Sequence, residues 1–577
     1  MTVSRRDFLG GLSAAAVASL VPARLRAGET DRKDIFLDVT EAAGITWKHF
    51  SGFSPDRYLI EIMGGGVGLF DFDNDGWLDI FLLNGGETPR GKSAKPLQNA
   101  LYRNLGNGKF QDVARETGLH QVKNYGMGVA IADFDNDGHQ DIFVTGFPNC
   151  TLYHNNGNGT FSDITADAGL QNAGRWASGA AWFDYDRDGF LDLVVCNYAN
   201  LSFSGAAPNC SYANVRTYCE QRMYQGLPLT IYHNNRNGTF TDVSRSAGLD
   251  QFVGRALGVV AIDFDDDGWP DLFVARDASP NLLLLNKHDG TFVDAAVDAE
   301  VAFDSNGNAR AGMGVDAGDV NGDGRPDVVV TNFSFEYHSL FLNRSAFPYE
   351  DATRASRLAS ITRTSVGWGT HLLDYDNDGN LDLMTVNGHV IEVIESLQPQ
   401  VKFKQRPLLL HNTGSGVFED VSWSAGPAFS RSYVGRGLAI GDWDNDGAMD
   451  AIFTCVGDRP VLLRNNAAGG RSWIGVRLIG TKSNRDAIAA KATLHVSDRR
   501  LVRWVTGGSS YLSSHDRRLL FGLGSAPATT KVTVEIQWPS GQRQLAEGLD
   551  LNRYHLITEA AEPGKPETKA PAPKNSG

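Results

Sequence analysis

Carboxylates recur in this chain at a spacing that suits one kind of chemistry. Asp71, Asp73 and Asp75 alternate with Phe72 and Asn74, Gly76 follows, and Asp79 closes the run. The pattern returns as Asp133, Asp135, Asp137, Gly138 and Asp141, then as Asp184, Asp186, Asp188, Gly189 and Asp192, and again as Asp263, Asp265, Asp267, Gly268 and Asp271. A fifth copy exchanges one acid for an amide: Asp319, Asn321, Asp323, Gly324 and Asp327. The last two are Asp374, Asp376, Asp378, Gly379, Asp382 and Asp442, Asp444, Asp446, Gly447, Asp450. Alternate side chains converge when a loop wraps round one point, and the glycine permits the sharp turn. Oxygen donors at this density select Ca²⁺ over zinc or copper. Up to seven structural Ca²⁺ ions are therefore expected. Positions 1, 3, 5 and 9 would supply side-chain oxygens and position 7 a carbonyl. An EF-hand begins alike, but its closing Glu stands at position 12 and helices flank it. Asp, Asn and Gly also build plain turns. Repetition in register favours metal, because acids this close repel one another unless a cation lies between them.

No other reaction signature stands out. The chain has no Gly-x-Ser-x-Gly, His-Glu-x-x-His or Walker loop. Gly64-Gly65-Gly66-Val67-Gly68 shares the register of glycine-rich segments elsewhere, so it is not read as a phosphate cradle. Most acids are accounted for as ligands, so no carboxylate pair can be singled out for glycosidase chemistry. His49, Trp176, Tyr198, Tyr337, His338, Trp368, His371 and His389 lie outside the repeat and are candidates for a catalytic or binding site, each also readable as a packing residue. Cys210 and Cys219 sit nine residues apart in an irregular insertion, Ser202 to Leu227, and are expected to form a disulfide in an exported protein. Cys150, Cys196 and Cys455 read as buried thiols, and without a Cys-x-x-Cys no thiolate zinc site is supported.

The elements that must position the acids follow from their flanks. First aspartates of successive copies lie 62, 51, 79, 56, 55 and 68 residues apart, a period of a solenoid or a propeller. Upstream of each loop is a glycine-rich strand such as Gly126-Met127-Gly128-Val129; downstream is a short apolar run such as Ile142-Phe143-Val144. A third strand ends in Asn, as in Leu152-Tyr153-His154-Asn155, and an Asn-Gly turn leads to a fourth. Four strands per repeat make a propeller blade. The seventh copy has Leu462-Leu463-Arg464-Asn465 but no fourth strand after it, while an unpartnered copy, Phe36-Leu37-Asp38-Val39, stands at the other end. The fold class expected is all-β: a seven-bladed propeller over about 34–468, closed by its N-terminal strand, then a small β-rich domain over 471–560.

The N-terminus, with paired Arg5-Arg6 before a short apolar run, resembles a twin-arginine export signal over 1–27, ending at Ala27 or, alternatively, at Ala23. That places the mature protein in the periplasm or outside the cell. The stretch 561–577, rich in Pro, Lys and Ala, is expected to be disordered.

The acidic loops between short strands resemble the FG-GAP repeats of integrin α-subunit propellers, in which such loops bind structural Ca²⁺. Ser483-Asn484-Arg485-Asp486-Ala487, Gly507-Gly508-Ser509-Ser510-Tyr511-Leu512, Phe521-Gly522-Leu523-Gly524 and Trp538-Pro539-Ser540-Gly541 look like the ASPIC/UnbV domain. The architecture is similar to bacterial relatives of cartilage acidic protein. Ala489 stands where that family usually has Gly.

The charge is unevenly spread. The chain carries −15 in all, yet residues 28–470 hold −25, residues 471–560 hold +6, and the seven loops contain 28 acids. Seven Ca²⁺ would leave the propeller near −11. A net acidic chain is a poor default binder of nucleic acid or anionic membrane. The expected function is a binding, adhesion or scaffold module for an extracytoplasmic glycan or protein, with the 202–227 insertion on the partner surface. The alternatives are a polymer lyase or hydrolase, or a biosynthetic accessory protein, using one face of the ring.

Overall fold

A computed structural model describes residues 34–561 apart from 205–208, 213 and 345–346. The export-signal reading of 1–27 and all but the first residue of the 561–577 tail lie outside the described residues.

Seven four-stranded antiparallel sheets follow one another along residues 34–468. The first blade is Val67–Phe70, Asp79–Leu82, Ala100–Asn104 and Phe110–Asp112, paired in that order. Five more blades repeat this order. The seventh consists of Gly435–Gly441, Asp450–Cys455 and Val461–Asn465, with Phe36–Asp38 as its outer strand and Phe36 opposite Asn465. The unpartnered N-terminal copy thus completes the last blade, and the ring is closed by main-chain hydrogen bonds between the two ends of the repeat.

The inner strands are buried along their whole length except at Ala180 and His371, which are half-buried, and this explains the long apolar runs. The core lies between neighbouring blades. Phe70, Phe81 and Leu101 of the first blade pack with Val129, Ile142 and Tyr153 of the second. Val67, Ile80 and Tyr102 pack with Ala439, Ile452 and Leu462 of the seventh.

Glycine stands five residues before the first Asp of every loop: Gly66, Gly128, Gly179, Gly258, Gly314, Gly369 and Gly437. In the five blades from the second to the sixth, a Cβ there would lie 2.1–2.7 Å from a carbonyl oxygen of the next blade, for example 2.4 Å from Leu257 at Gly179 and 2.1 Å from Trp368 at Gly314. The inner strands thus approach backbone to backbone around the axis, which a side chain would prevent.

Residues 472–558 form two sheets, Leu519–Gly524/Ser472–Ile479/Tyr554–Thr558 and Arg499–Trp504/Lys491–Val496/Val532–Gln537/Arg543–Leu549. This β-rich domain is docked on the ring and shares apolar core with it: Ile474, Val476, Leu494 and Val534 join one cluster with Phe134 and Trp182. Its segment 507–518 runs into the centre of the ring. Gly507 bridges Ala261, Ser510 bridges Val315, and Ser514 bridges Gly68. Leu512 accepts the Val129 N–H at 3.0 Å, and fully buried Tyr511 donates through Oη to Met63 O at 3.1 Å. We call this segment the plug. The sequence marks its glycines and serines as a family segment, but nothing in them says that they thread a ring.

Candidate metal centres

The seven acidic loops join the first and second strands of each blade, all on one face of the ring. Their conformation is uniform. The fourth position has positive φ in every loop: Asn74, Asn136, Arg187, Asp266, Gly322, Asn377 and Asn445. So has the glycine at position 6, with φ from 85° to 98°. The position-1 carboxylate accepts the N–H groups of positions 5 and 6, as in Asp71 from Asp75 at 3.0 Å and Gly76 at 2.9 Å. Position 5 turns back to accept from position 7, as Asp75 does from Trp77 at 3.0 Å. The loop is thereby preformed by its own acids.

Position 9 is at most 1 % exposed in every loop. Asp79 accepts the Phe72 N–H at 3.0 Å and the Asn104 N–H at 2.8 Å, and the other six copies repeat this second bond at 2.7–2.8 Å. The ninth-position acid, read from the sequence as a ligand, therefore also ties the loop to the third strand.

Donor atoms of Asp71, Asp73 and Asp79 lie within 4.8 Å of one another, as do those of Asp133, Asp135 and Asp137. The residues fit a hard cation on a specific observation. One oxygen of the position-3 carboxylate is buried without a hydrogen-bond partner in Asp73, Asp186, Asp376 and Asp444. Its other oxygen meets a cationic or imidazole group in each case: Arg103 at 2.7 Å, His233 at 3.5 Å, Arg471 at 2.8 Å and Arg464 at 2.7 Å. A buried acceptor left unmet at the same position of four loops is what a cation would satisfy. Burial pushes the position-1 carboxyls up, to about 8 at Asp133 and Asp184 and about 7 at Asp263, Asp374 and Asp442, with neighbouring acids adding to it. The fifth loop, with Asn321, offers three acids only.

Three features were hidden in the sequence. The residue before the third-strand Asn faces the acids: Arg103, His154, His233, His411 and Arg464 approach them, while Leu285 and Leu342 occupy this place in the fourth and fifth blades. The Asn itself donates across to the preceding blade. Asn155 Nδ2 reaches Phe72 O at 2.8 Å, Asn234 reaches Phe134 O at 2.9 Å, and Asn104 closes the circle on Trp443 O at 2.8 Å. All seven copies make this bond. Finally, the fourth-position Asn donates forward: Asn74 to Gly138 O, Asn136 to Gly189 O, Asn377 to Gly447 O and Asn445 to Gly76 O, at 2.8–3.0 Å.

The C-terminal domain covers this face with its basic residues. Arg518 reaches Asp442 O and Asn445 Oδ1 at 2.6 Å, and Tyr554 Oη donates to Asp442 Oδ2 at 2.7 Å. Arg471 binds Asp376, Lys491 binds Asp266, and Arg499 and Arg500 reach the carbonyls of Asp378 and Asp323. Gly522 N–H donates to Asp374 Oδ2 at 3.1 Å.

Several of the other candidates gather at the centre of the ring: Trp176, Tyr198 and Trp368 share one apolar cluster with Tyr511 and Leu512 of the plug, and His49 and His389 both feel the charge of Arg436. His49, His338 and His389 are buried, and burial lowers each to about 4. Trp176 and Tyr198 meet edge to face with ring centroids 4.7 Å apart, and Tyr198 donates to Asp277 at 2.6 Å. Trp368 donates to Gly388 O at 2.8 Å and carries the fully buried Arg436 guanidinium 4.0 Å from its ring centre. Tyr337 lies 5.8 Å from Arg354. Trp368 and His371 both meet the plug, at Tyr511 and His515 respectively. Cys210 and Cys219 form a disulfide, and Cys150, Cys196 and Cys455 are buried free thiols.

Family comparison agrees with this anatomy. The FG-GAP-like repeat matches residues 71–144, 133–195, 223–274 and 263–330, and the ASPIC and UnbV family matches 480–564. The chain is an FG-GAP-repeat propeller carrying a C-terminal ASPIC/UnbV domain. It is similar to cartilage acidic protein 1 of Homo sapiens, 25 % identical over 520 residues that cover 79 % of this chain and 74 % of that protein, and to the Mus musculus protein, 26 % identical over 485 residues, 73 % of this chain and 71 % of that protein. Among solved structures, the BP39L lectin of Burkholderia pseudomallei aligns with 70 % of this chain and 96 % of its own at 12 % identity and a TM-score of 0.41. A lectin of Agrocybe aegerita described as recognising non-reducing terminal N-acetylglucosamine aligns with 68 % of this chain and 86 % of its own at 16 % identity and a TM-score of 0.36. Among the described residues, no helix is long and apolar enough to cross a membrane.

Proposed function

We propose that this protein is an exported, Ca²⁺-stabilised binding module that holds an extracytoplasmic glycan or protein on its blade rim and on the face away from the acidic loops. The observation that carries this reading is the docking of the C-terminal domain: it occupies the loop face and the axis, so the loops serve the fold and the remaining surface serves the partner. When bound, Ca²⁺ would supply charge neutralisation and rigidity to the loops, held by the acids at positions 1, 3, 5 and 9. The chain's own residues then set the shape of the partner surface.

Two clefts between blades suit such a partner. One, of about 1030 Å³ between the first and second blades, is lined by Lys95, Arg115, His120, Lys123, Phe147 and Phe203. The other, of about 670 Å³ between the second and third, is lined by Asn149, Asp163, Asn172, Arg175 and Tyr232. They share Lys123 and Asn124 in their walls. Amides, acids and cations beside aromatic faces match the hydroxyls and apolar faces of a sugar chain. Phe203 belongs to the 202–227 insertion, which favours a role for that insertion in partner contact. The test is binding of the purified mature protein to immobilised glycans and envelope proteins, comparing wild type with Arg175→Ala and Phe203→Ala. The reading expects a bound partner lost by at least tenfold in one of these variants; a partner retained by both would place the surface elsewhere.

A further inference from the structure

The axis of the ring holds a break in the repeat. Three residues before the first loop aspartate, five blades carry Gly68, Ala130, Ala181, Val260 and Ala439, whereas the fifth and sixth carry Asp316 and His371. These two line a chamber of about 100 Å³ between ring and C-terminal domain, together with His515 of the plug. His371 Nδ1 lies 2.9 Å from Asp316 Oδ2, and the His371 and His515 rings stack with centroids 3.9 Å apart and planes 23° from parallel. Asp316 is 1 % exposed, and its Oδ1 and His515 Nε2 are buried without hydrogen-bond partners.

Two imidazoles and a carboxylate invite a metal reading, but the hydrogen bonding opposes it. His515 Nδ1 accepts the Ile440 N–H at 2.9 Å, so the ring proton resides on Nε2 and no lone pair there is free for an ion. What the geometry does provide is a contact sensitive to charge. We propose that the His371–His515 stack is a pH-sensitive latch on the plug: an uncharged His515 holds the plug in the ring, and a proton on His515 sets it against His371 and loosens the plug.

A proton added to His515 goes to Nδ1, the atom that accepts the Ile440 N–H, so it breaks that bond and sets two donors face to face. Other groups face the stack. From the ring come Asp316, whose Oδ2 meets His371 and the Leu372 N–H while its Oδ1 has no hydrogen-bond partner, and Asp374, which accepts Gly379 and Gly522. From the C-terminal domain come Arg503, Arg517, Arg518 and Asp516; Arg518 occupies Asp516 at 2.8 Å, and Arg517 occupies Asp486. Three arginines around the chamber make a fourth cation less welcome, not more. Burial first, and the facing His371 second, hold His515 well below the ordinary histidine value near 6.5. The docked plug therefore binds fewer protons than a released one. Docking is strongest above about pH 6.5 and weakens as pH falls below it, so the opening equilibrium rises about tenfold from pH 7.5 to 5.5.

The experiment is amide hydrogen exchange on the full mature chain at saturating Ca²⁺, corrected for the intrinsic pH dependence of exchange. The reporters are the amides of Gly507, Ser510, Ser514 and Asp516, which bond Ala261, Val315, Val67 and Ile440 of the ring. Wild type should open about tenfold more at pH 5.5, while His515→Asn, whose Oδ1 can still accept the Ile440 N–H, should stay within about twofold. Plug protection independent of pH in wild type, or the same rise in His515→Asn, would overturn the latch. Because that variant could misfold, exchange at the His515 Cε1 hydrogen is read on wild type as well. A midpoint below the ordinary histidine value near 6.5 is expected, and one at or above it contradicts the proposal.

Discussion

At the scale of single residues, the ring is held by two residues, an Asn and a Gly, that recur in all seven blades. The third-strand Asn joins its own loop to the one before it. Asn234 Nδ2 donates to Phe134 O at 2.9 Å and Leu191 O at 3.0 Å, and its N–H reaches Asp192. Asn234→Ala leaves two buried carbonyls unmet and should cost about 2–4 kcal/mol. Gly179→Ala would place a methyl 2.4 Å from Leu257 O, and since backbone of the next blade cannot yield, a loss of about 2 kcal/mol or more is expected. Urea unfolding followed by tryptophan fluorescence measures both, and either variant within 0.5 kcal/mol of wild type would contradict these roles. The repetition of Asp, Asn and Gly was readable in the sequence, because period and turn chemistry are local. Their inter-blade partners were not, because Asn234 and Phe134 lie 100 residues apart and meet only once the ring has closed.

Strands and loops have different dependences on the rest of the chain. The acidic loops are nearly self-sufficient: their glycines, left-handed fourth residues and internal hydrogen bonds lie within nine positions, which is why the sequence reveals them so plainly. The closing strand Phe36–Asp38 is the opposite case, since its partners, Leu463, Arg464 and Asn465 with Ala425 and Phe429, all stand at the far end of the repeat. It was nevertheless legible as a missing half, from the arithmetic of paired motifs. Phe36 is fully buried and packs 5.7 Å from Phe429. Removing residues 34–38 from the mature chain should expose the edge of Val461–Asn465 and an apolar slot beside it. The expected result is a lower melting midpoint and new dimers or aggregates on size-exclusion chromatography. A monomer with an unchanged midpoint would mean that the ring closes by other contacts. The plug is the element that sequence alone left invisible, because glycines and serines carry no periodicity that distinguishes an axial thread from a surface loop.

Over the whole molecule, the charge that looked like a diffuse acidic surface is organised in layers. The −25 of residues 28–470 is concentrated in the loops, and the +6 of residues 471–560 lies directly on them through Arg471, Arg499, Arg500 and Arg518. Composition placed the two charges in different segments, and only the structure puts one on top of the other. The central claim is that the loops are metal sites on which the folded ring depends. Thermal unfolding of the mature protein, after exhaustive chelation and then with millimolar Ca²⁺, tests it most directly. Each site filled at 100 times its dissociation constant adds about 2.7 kcal/mol to the folded state. Several sites together predict a midpoint that rises by many degrees with Ca²⁺ and climbs with its concentration. A midpoint that is the same with and without Ca²⁺ would contradict the account.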